Sequence, residues 1–262
     1  MRRLDWAEYR FAEFRDIDPE KVIAILPTAA IEQHGPHLPV GTDTMIAAGM
    51  LARLRATCPE DLDIRILPIQ AVGKSNEHLH ATGTLTLAAE TALRAWVEIG
   101  LSVARAGVRK IVIANSHGGN LDLVSILSRE LRVRAAMLAV KTQWMSFGHP
   151  EGVFTERERR FGIHGGDVET SLMLEFQPHT VDMAEARNFR SSAERTAIQP
   201  IGPTSYGWVA TDLNPEGTVG DASIATREKG VLMADHAVAG FTELLRQVRD
   251  MPLPPPVAVA GS

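Results

Sequence analysis

Short apolar runs alternate with amphipathic stretches along the chain. The apolar runs predict strands buried on both faces of a sheet, and they cover 22–27, 64–69, 110–115 and 135–141. Apolar residues spaced three and four apart predict helices, which cover 44–55, 88–106, 121–134, a segment beginning near Asp167, and 226–249. Strands alternating with helices predict a mostly parallel sheet with helices on both faces. We therefore expect an α/β fold with three α/β/α layers.

Four other segments depart from this alternation. Residues 1–20 predict a short amphipathic opening segment, and 156–160 predict a charged helix face in contact with solvent. The stretch 178–224 is rich in glycine, proline and polar residues, and we expect a hairpin or a lid there. We expect one domain over 1–251 and a disordered proline-rich tail over 252–262.

Composition excludes several classes of function. Apolar residues make up 45% of the 262 positions, which is enough for a sizeable core. The net charge of −5 argues against a nucleic-acid partner. No apolar run is long enough to span a bilayer, and the first residues lack the apolar core of a secretory signal, so we expect no membrane association. The single cysteine, Cys58, excludes an intrachain disulfide and indicates a reducing cytoplasm.

The loop after the first strand carries the densest candidate chemistry. Residues 32–43 read EQHGPHLPVGTD, so Glu32, His34 and Asp43 follow a buried strand. Ligands of open α/β sheets bind at the carboxyl ends of the strands. Carboxylate and imidazole groups are ligands for zinc, manganese and iron, and a bridging carboxylate would allow two metals. The alternative is a polar loop satisfied by its own backbone, but turn chemistry requires neither a glutamate nor two histidines.

Three later segments place further polar residues after strands or at a helix start. The loop 73–84 is longer than a simple crossover needs. His117 follows the third strand in a glycine turn, where it is either functional or a structural cap. His164 precedes a helix whose first turn holds Glu169. Taken alone, Glu169 is also explained by the preference for acids at helix N-termini.

Together these motifs resemble the creatininase (creatinine amidohydrolase) family, over about residues 20 to 235. The resemblance implies a creatininase-like fold, a site for two divalent metals, and hydrolysis of non-peptide carbon–nitrogen bonds. It also implies a homo-oligomer, often a hexamer. By position, four residues match the family's metal ligands, with Asp43 as the bridge: Glu32, His34, Asp43 and His117.

The resemblance also implies roles outside the metal ligands. Ser75 matches a serine that contacts substrate, and His164 matches a histidine that shuttles a proton. We add His78 and Trp144 as candidate substrate contacts.

Two positions depart from the family pattern. True creatininases have a glutamate ligand two residues after the third-strand histidine, where this chain has Gly119. We infer that Glu169 supplies the missing carboxylate. The segment 80–84 also differs from the aromatic-Pro-Gly-Thr of the family, which changes the expected shape of the pocket.

The predicted function is a metal-dependent amidohydrolase acting on a small polar cyclic amide or formamide. A hydroxide that bridges two divalent ions would attack the carbonyl, and His164 would pass the proton to the leaving nitrogen. We expect the ions to be zinc, manganese or both, with iron as an alternative. One alternative is an enzyme that hydrolyses a sugar-derived cyclic ketone or processes a short modified peptide. Another is a non-catalytic homologue that binds a metabolite.

Overall fold

Four parallel strands form the central sheet of the computed structural model, which describes residues 2–257. The strands are β1 (Ile23–Thr28), β2 (Ile64–Ile66), β3 (Lys110–Asn115) and β4 (Leu138–Gln143). Their order across the sheet is β2-β1-β3-β4. The parallel pairing confirms the predicted sheet.

The register of the two central strands brings their carboxyl ends together. Ile23 pairs with Lys110, and Thr28 pairs with Asn115 at the other end. Both strands are buried along their whole length, as their continuous apolar sequences predict. The loops that follow β1 and β3 therefore leave the sheet side by side.

Helices cover both faces of the sheet. The longer ones are α1 (Thr42–Thr57), α2 (Ala89–Arg105), α3 (Leu121–Ala135), α5 (Asp167–Phe176) and α7 (Arg227–Asp250), and the short ones are α4 (Glu156–Phe161) and α6 (Ala210–Leu213). Helices α1, α5 and α7 contact one another, and α2 contacts α3.

Alternate side chains of β1 enter two separate cores. Ile23 and Ile25 pack in the cluster that includes Phe241 of α7. Ala24 and Leu26 pack in the cluster that includes Trp96 of α2. Because successive side chains of a strand point to opposite faces, this division confirms the three α/β/α layers.

Two predicted strands differ from the structure in their bounds. The strand predicted over 64–69 ends at Ile66, just before Leu67 and Pro68. The strand predicted over 135–141 covers Leu138–Gln143 instead, because α3 continues to Ala135. Ala136 then adopts a left-handed conformation with φ of 48° and ends the helix.

The prediction of a solvated face over 156–160 is wrong for one residue. Glu156, Arg159 and Arg160 are exposed, but Glu158 is buried. Its carboxylate accepts the Asp221 N–H at 3.0 Å. Glu158 thereby links α4 to the segment before α7, a contact between distant parts of the chain that charge pattern alone does not reveal.

The stretch 178–224 contains two short antiparallel strands, β5 (Asn188–Phe189) and β6 (Gly220–Asp221). Residues 190–219 separate them, so the segment is not a tight hairpin. Residues 252–257 of the predicted tail form no helix or strand, and 258–262 lie outside the described residues. Within 2–257, no helix is long and apolar enough to cross a membrane.

The contact between α5 and α7 depends on Gly230. A Cβ added at Gly230 would overlap the backbone carbonyl of Ser171. Gly207 serves as the control, because a Cβ added there would have no other heavy atom within 4 Å. Replacing glycine by alanine within a helix usually stabilises the helix by up to about 1 kcal/mol. At position 230 the overlap with a backbone atom outweighs that stabilisation. We expect Gly230→Ala to lower the free energy of unfolding by about 1–3 kcal/mol. Urea unfolding measures this, and an equal effect of Gly207→Ala would contradict the explanation.

Candidate metal centre

The loops after β1 and β3 bring four predicted metal ligands together. Glu32, His34, Asp43 and His117 are each no more than 4% exposed. Asp43 lies in the first turn of α1, which starts directly after the β1 loop. At the base of these loops, the Thr28 hydroxyl donates to Asn115 Oδ1 at 3.0 Å. Residues that are far apart in sequence thus form one buried polar cluster.

Asp43 lies between the two histidines of this cluster. Its Oδ2 is 3.3 Å from His117 Nδ1, and its Oδ1 is 3.6 Å from His34 Nε2. Glu32 Oε1 is 3.2 Å from the same His117 nitrogen. Each oxygen of Asp43 therefore faces a different imidazole, as required of a carboxylate shared by two metals.

The donor atoms of the cluster fit divalent metals. Glu32 Oε2, His34 Nε2 and Asp43 Oδ2 are buried and make no hydrogen bond. Buried polar atoms without a partner are costly. Because these atoms are carboxylate oxygens and an imidazole nitrogen, a cation such as Zn²⁺ or Mn²⁺ would satisfy them.

Glu169 enters the cluster from the start of α5. Its Oε2 accepts the Gly165 N–H at 2.6 Å and lies 3.8 Å from His34 Nε2. Ligand atoms of Glu169, His34 and Asp43 all lie within 4.8 Å of one another. The carboxylate inferred to replace a glutamate at position 119 is therefore close to two of the other predicted ligands.

The pKa values of these side chains reflect burial set against close opposite charges. Burial opposes protonation of His34, but Asp43 and Glu169 outweigh it and raise its pKa to about 9. Burial raises the pKa of Glu169 to about 7, against the opposing effect of His34. Burial also disfavours ionised Glu32, yet His117 and His34 hold its pKa well below the ordinary value. Without metal, histidine protons balance much of the buried negative charge.

His164 is held as a neutral imidazole. Burial and the neighbouring His34 and His78 lower its pKa well below the ordinary value. Its Nε2 lies 2.7 Å from the Gln33 carbonyl and donates to it, and its Nδ1 lies 3.6 Å from Glu32 Oε1. The Nδ1 lone pair therefore faces the carboxylate cluster, where it can accept a proton.

The predicted substrate contacts occupy three different surroundings. Ser75 is buried, and its Oγ lies 3.2 Å from His117 Nε2, the ring nitrogen that faces away from Glu32. His78 is buried beside the cluster, with its Nε2 3.5 Å from Glu32 Oε1. Trp144 packs in the apolar core, with its ring centroid 4.7 Å from that of Phe241. Of these three residues, Trp144 is the one that packs in an apolar cluster.

Sequence reasoning missed Gln33, which joins three loops. Its side-chain amide donates to His78 Nδ1 at 2.9 Å and to the Gly217 carbonyl, and its Oε1 accepts the Gly35 N–H at 2.8 Å. Through its own carbonyl it also fixes His164. The position between Glu32 and His34 was the only sequence indication of this role.

Glu77 was also missed. It is 8% exposed, and its Oε1 lies 3.5 Å from His117 Nε2. The unusual length of the loop 73–84 was a sign of function, but it did not single out this residue.

Comparisons with known proteins agree on one family. Residues 7–245 match the family model described as "Creatininase: Creatinine amidohydrolase". A mycofactocin precursor peptide peptidase from Mycobacterium tuberculosis is 33% identical over 217 residues, covering 79% of this chain and 77% of the relative. Creatinine amidohydrolase from Pseudomonas putida is 27% identical over 261 residues, covering 93% and 95%.

Solved creatininase structures share the fold. A mutant creatininase superposes with a TM-score of 0.75 at 23% identity, covering 95% of this chain and 100% of that chain. A manganese form of creatininase superposes with a TM-score of 0.70 at 24% identity, covering 95% and 97%.

Metal affinity should depend on pH through His34 and Glu169. A metal must displace the His34 proton below pH about 9 and the Glu169 proton below pH about 7. We therefore expect Zn²⁺ affinity to rise from about pH 6 to about pH 9, most steeply below about 7. Competition with a chromophoric chelator at several pH values measures this. A constant affinity over that range would contradict the prediction.

Glu169→Gln should weaken the binding of one metal ion and leave the other unaffected. The reason is that the amide replaces a charged ligand beside His34 and Asp43. Elemental analysis of the purified protein should show about half the metal content of the wild type. Glu156→Gln is the matched control, since Glu156 also lies in the first turn of a helix but is exposed. Wild-type metal content in Glu169→Gln would refute the ligand assignment.

Proposed function

The chain belongs to the creatininase family, and on that premise we propose that it is a metal-dependent hydrolase that cleaves an amide bond in a peptide. The observation that carries the proposal is the buried cluster in which Glu32, His34 and Asp43 present donor atoms without hydrogen-bond partners. A module that only bound a metabolite would have no need of such a cluster. Its retention therefore weighs against the non-catalytic alternative.

The peptide substrate corrects our expectation from the sequence. We predicted an enzyme for non-peptide carbon–nitrogen bonds, and that prediction is wrong. The mycobacterial relatives that match at 27–33% identity are named as peptidases of a precursor peptide. They support the alternative in which a short modified peptide is processed. Hydrolysis itself is common to these relatives and to the Pseudomonas amidohydrolase.

Two groups of ligands would hold two divalent ions, with Asp43 shared between them. Glu32 and His117 would complete one group, and His34 and Glu169 would complete the other. When bound, the metals would polarise the scissile carbonyl and lower the pKa of a water molecule. Creatininases have been solved in manganese and zinc–zinc forms, which supports manganese and zinc as the candidate metals.

His164 would transfer the proton that amide cleavage requires. Its Nε2–H is held by the Gln33 carbonyl, so Nδ1 is the nitrogen free to accept a proton from the attacking water. The same nitrogen would then donate that proton to the departing amine. A neutral imidazole is needed for the first step, and its lowered pKa provides one.

Assembly and location remain predictions. We expect a homo-oligomer, with a hexamer as the family resemblance implies, and a cytoplasmic location. The predicted small-molecule substrate is replaced here by a peptide, and we expect no nucleic-acid partner.

The direct test is hydrolysis of short synthetic peptides by the metal-loaded protein, with creatinine tested in parallel. Mass spectrometry should detect peptide fragments, and cleavage should stop with a chelator and return with zinc or manganese. Turnover of creatinine with intact peptides would contradict the peptide assignment. Failure to bind metal would contradict the proposed function as a whole.

His164→Ala should keep both metals and lose most of the rate. General acid–base groups contribute about 10²–10⁴-fold, so we expect a decrease of that size in kcat for the peptide cleaved by the wild type. His179→Ala is the control, because His179 is exposed outside the cluster. Normal turnover by His164→Ala would remove this residue from the mechanism.

A further inference from the structure

We propose that Glu77 is a positioning residue that holds the His117 imidazole in the orientation needed to bind metal. The proposal rests on the proposed metal-dependent function, and it concerns a residue that the family motifs quoted above do not contain.

The two ring nitrogens of His117 face different surroundings. Nδ1 lies 3.2 Å from Glu32 Oε1 and 3.3 Å from Asp43 Oδ2, on the side of the metal ligands. Nε2 lies 2.9 Å from the Lys74 carbonyl and 3.5 Å from Glu77 Oε1. Because a carbonyl can only accept, Nε2 carries a hydrogen, and Nδ1 is the nitrogen that a metal would bind once its own proton has left.

Glu77 is itself fixed in place. It lies in the short 3₁₀ helix Asn76–His78, and its Oε2 accepts from Lys74 Nζ at 2.9 Å. At 8% exposure, its charge acts on His117 with little screening by water. A carboxylate beside the non-ligating N–H of a histidine orients the ring and increases the basicity of the ligating nitrogen.

The space for this carboxylate comes from Gly119. A Cβ at position 119 would overlap Glu77 Oε1 and would lie 2.5 Å from His117 Nε2 and 2.6 Å from the Lys74 carbonyl. Gly119 is not among the glycines with positive φ, so its backbone does not require glycine. The absence of a side chain at 119 is therefore needed for packing, because Glu77 and the His117 ring occupy the space.

Glu77→Gln keeps the shape of the side chain and removes its charge. Chelator competition with Zn²⁺ on the whole protein should show one site weakened by about 10–100-fold, with two equivalents still bound at saturation. Glu194→Gln is the matched control, since Glu194 is also a poorly exposed carboxylate paired with a cation, Arg157. We expect the control to bind both metals with wild-type affinity.

Three outcomes would overturn the proposal. Wild-type affinity in Glu77→Gln would remove the positioning role. Loss of a whole equivalent at saturating zinc would make Glu77 a direct ligand, an arrangement open to it because ligand atoms of Glu32, Glu77 and His117 lie within 4.8 Å of one another. A wild-type protein that binds no metal would instead defeat the proposed function on which this inference rests.

Nitrogen NMR of the zinc-loaded wild type tests the same point without a variant. We expect His117 to bind zinc through Nδ1 and to retain a slowly exchanging proton on Nε2, and we expect that proton to exchange faster in Glu77→Gln. Coordination through Nε2 would refute the proposal even if the variant failed to fold.

Discussion

Repulsion among the carboxylates clustered at the carboxyl edge of the sheet is the constraint under which the site is built. Glu32, Asp43 and Glu169 lie within a few ångströms of shared histidine partners. Removing such charges from water costs several kcal/mol each unless positive charge lies between them. Although both rings are buried, the neighbouring carboxylates raise the pKa values of His34 and His117, so protons on the two rings supply part of that charge. Divalent metals would supply more. The folded protein therefore bears an electrostatic cost at this cluster, and bound cations would relieve it.

The sheet beneath the cluster provides the rigidity that such a site needs. β1 and β3 run in register for six residue pairs, and their side chains fill a core on each face. The candidate ligands lie in loops and in the first turns of helices, and Gln33 ties the loop after β1 to the segments that hold His78 and Gly217. Sites on loops hold their geometry less precisely than sites on helices or strands, so cross-loop contacts such as those of Gln33 are needed here.

Periodicity and motif were enough to predict the layers and to select residues that the fold brings close together, because both are local properties of the chain. β3 was placed at 110–115, as observed, and Glu169 was placed near the other ligands from its position at a helix start. Contacts between distant loops were not predictable in this way. Glu77 and Glu158 resemble ordinary surface acids in the sequence, and Trp144 follows a strand without any sign that its ring turns into the core. The class of substrate also depends on details that motifs do not encode.

The packing around position 119 also bears on how activities could diverge within the family. Creatininases, as described above, have a glutamate there, whereas this chain has glycine and fills the adjoining space with Glu77 and the His117 ring. A single substitution of Gly119 by glutamate would create a steric overlap before it could create a ligand. Exchange between the two arrangements therefore requires the Glu77 side chain, the His117 ring and the Lys74 backbone to shift together. Such epistasis would separate the two kinds of site in evolution and would hinder engineering one from the other by stepwise mutation.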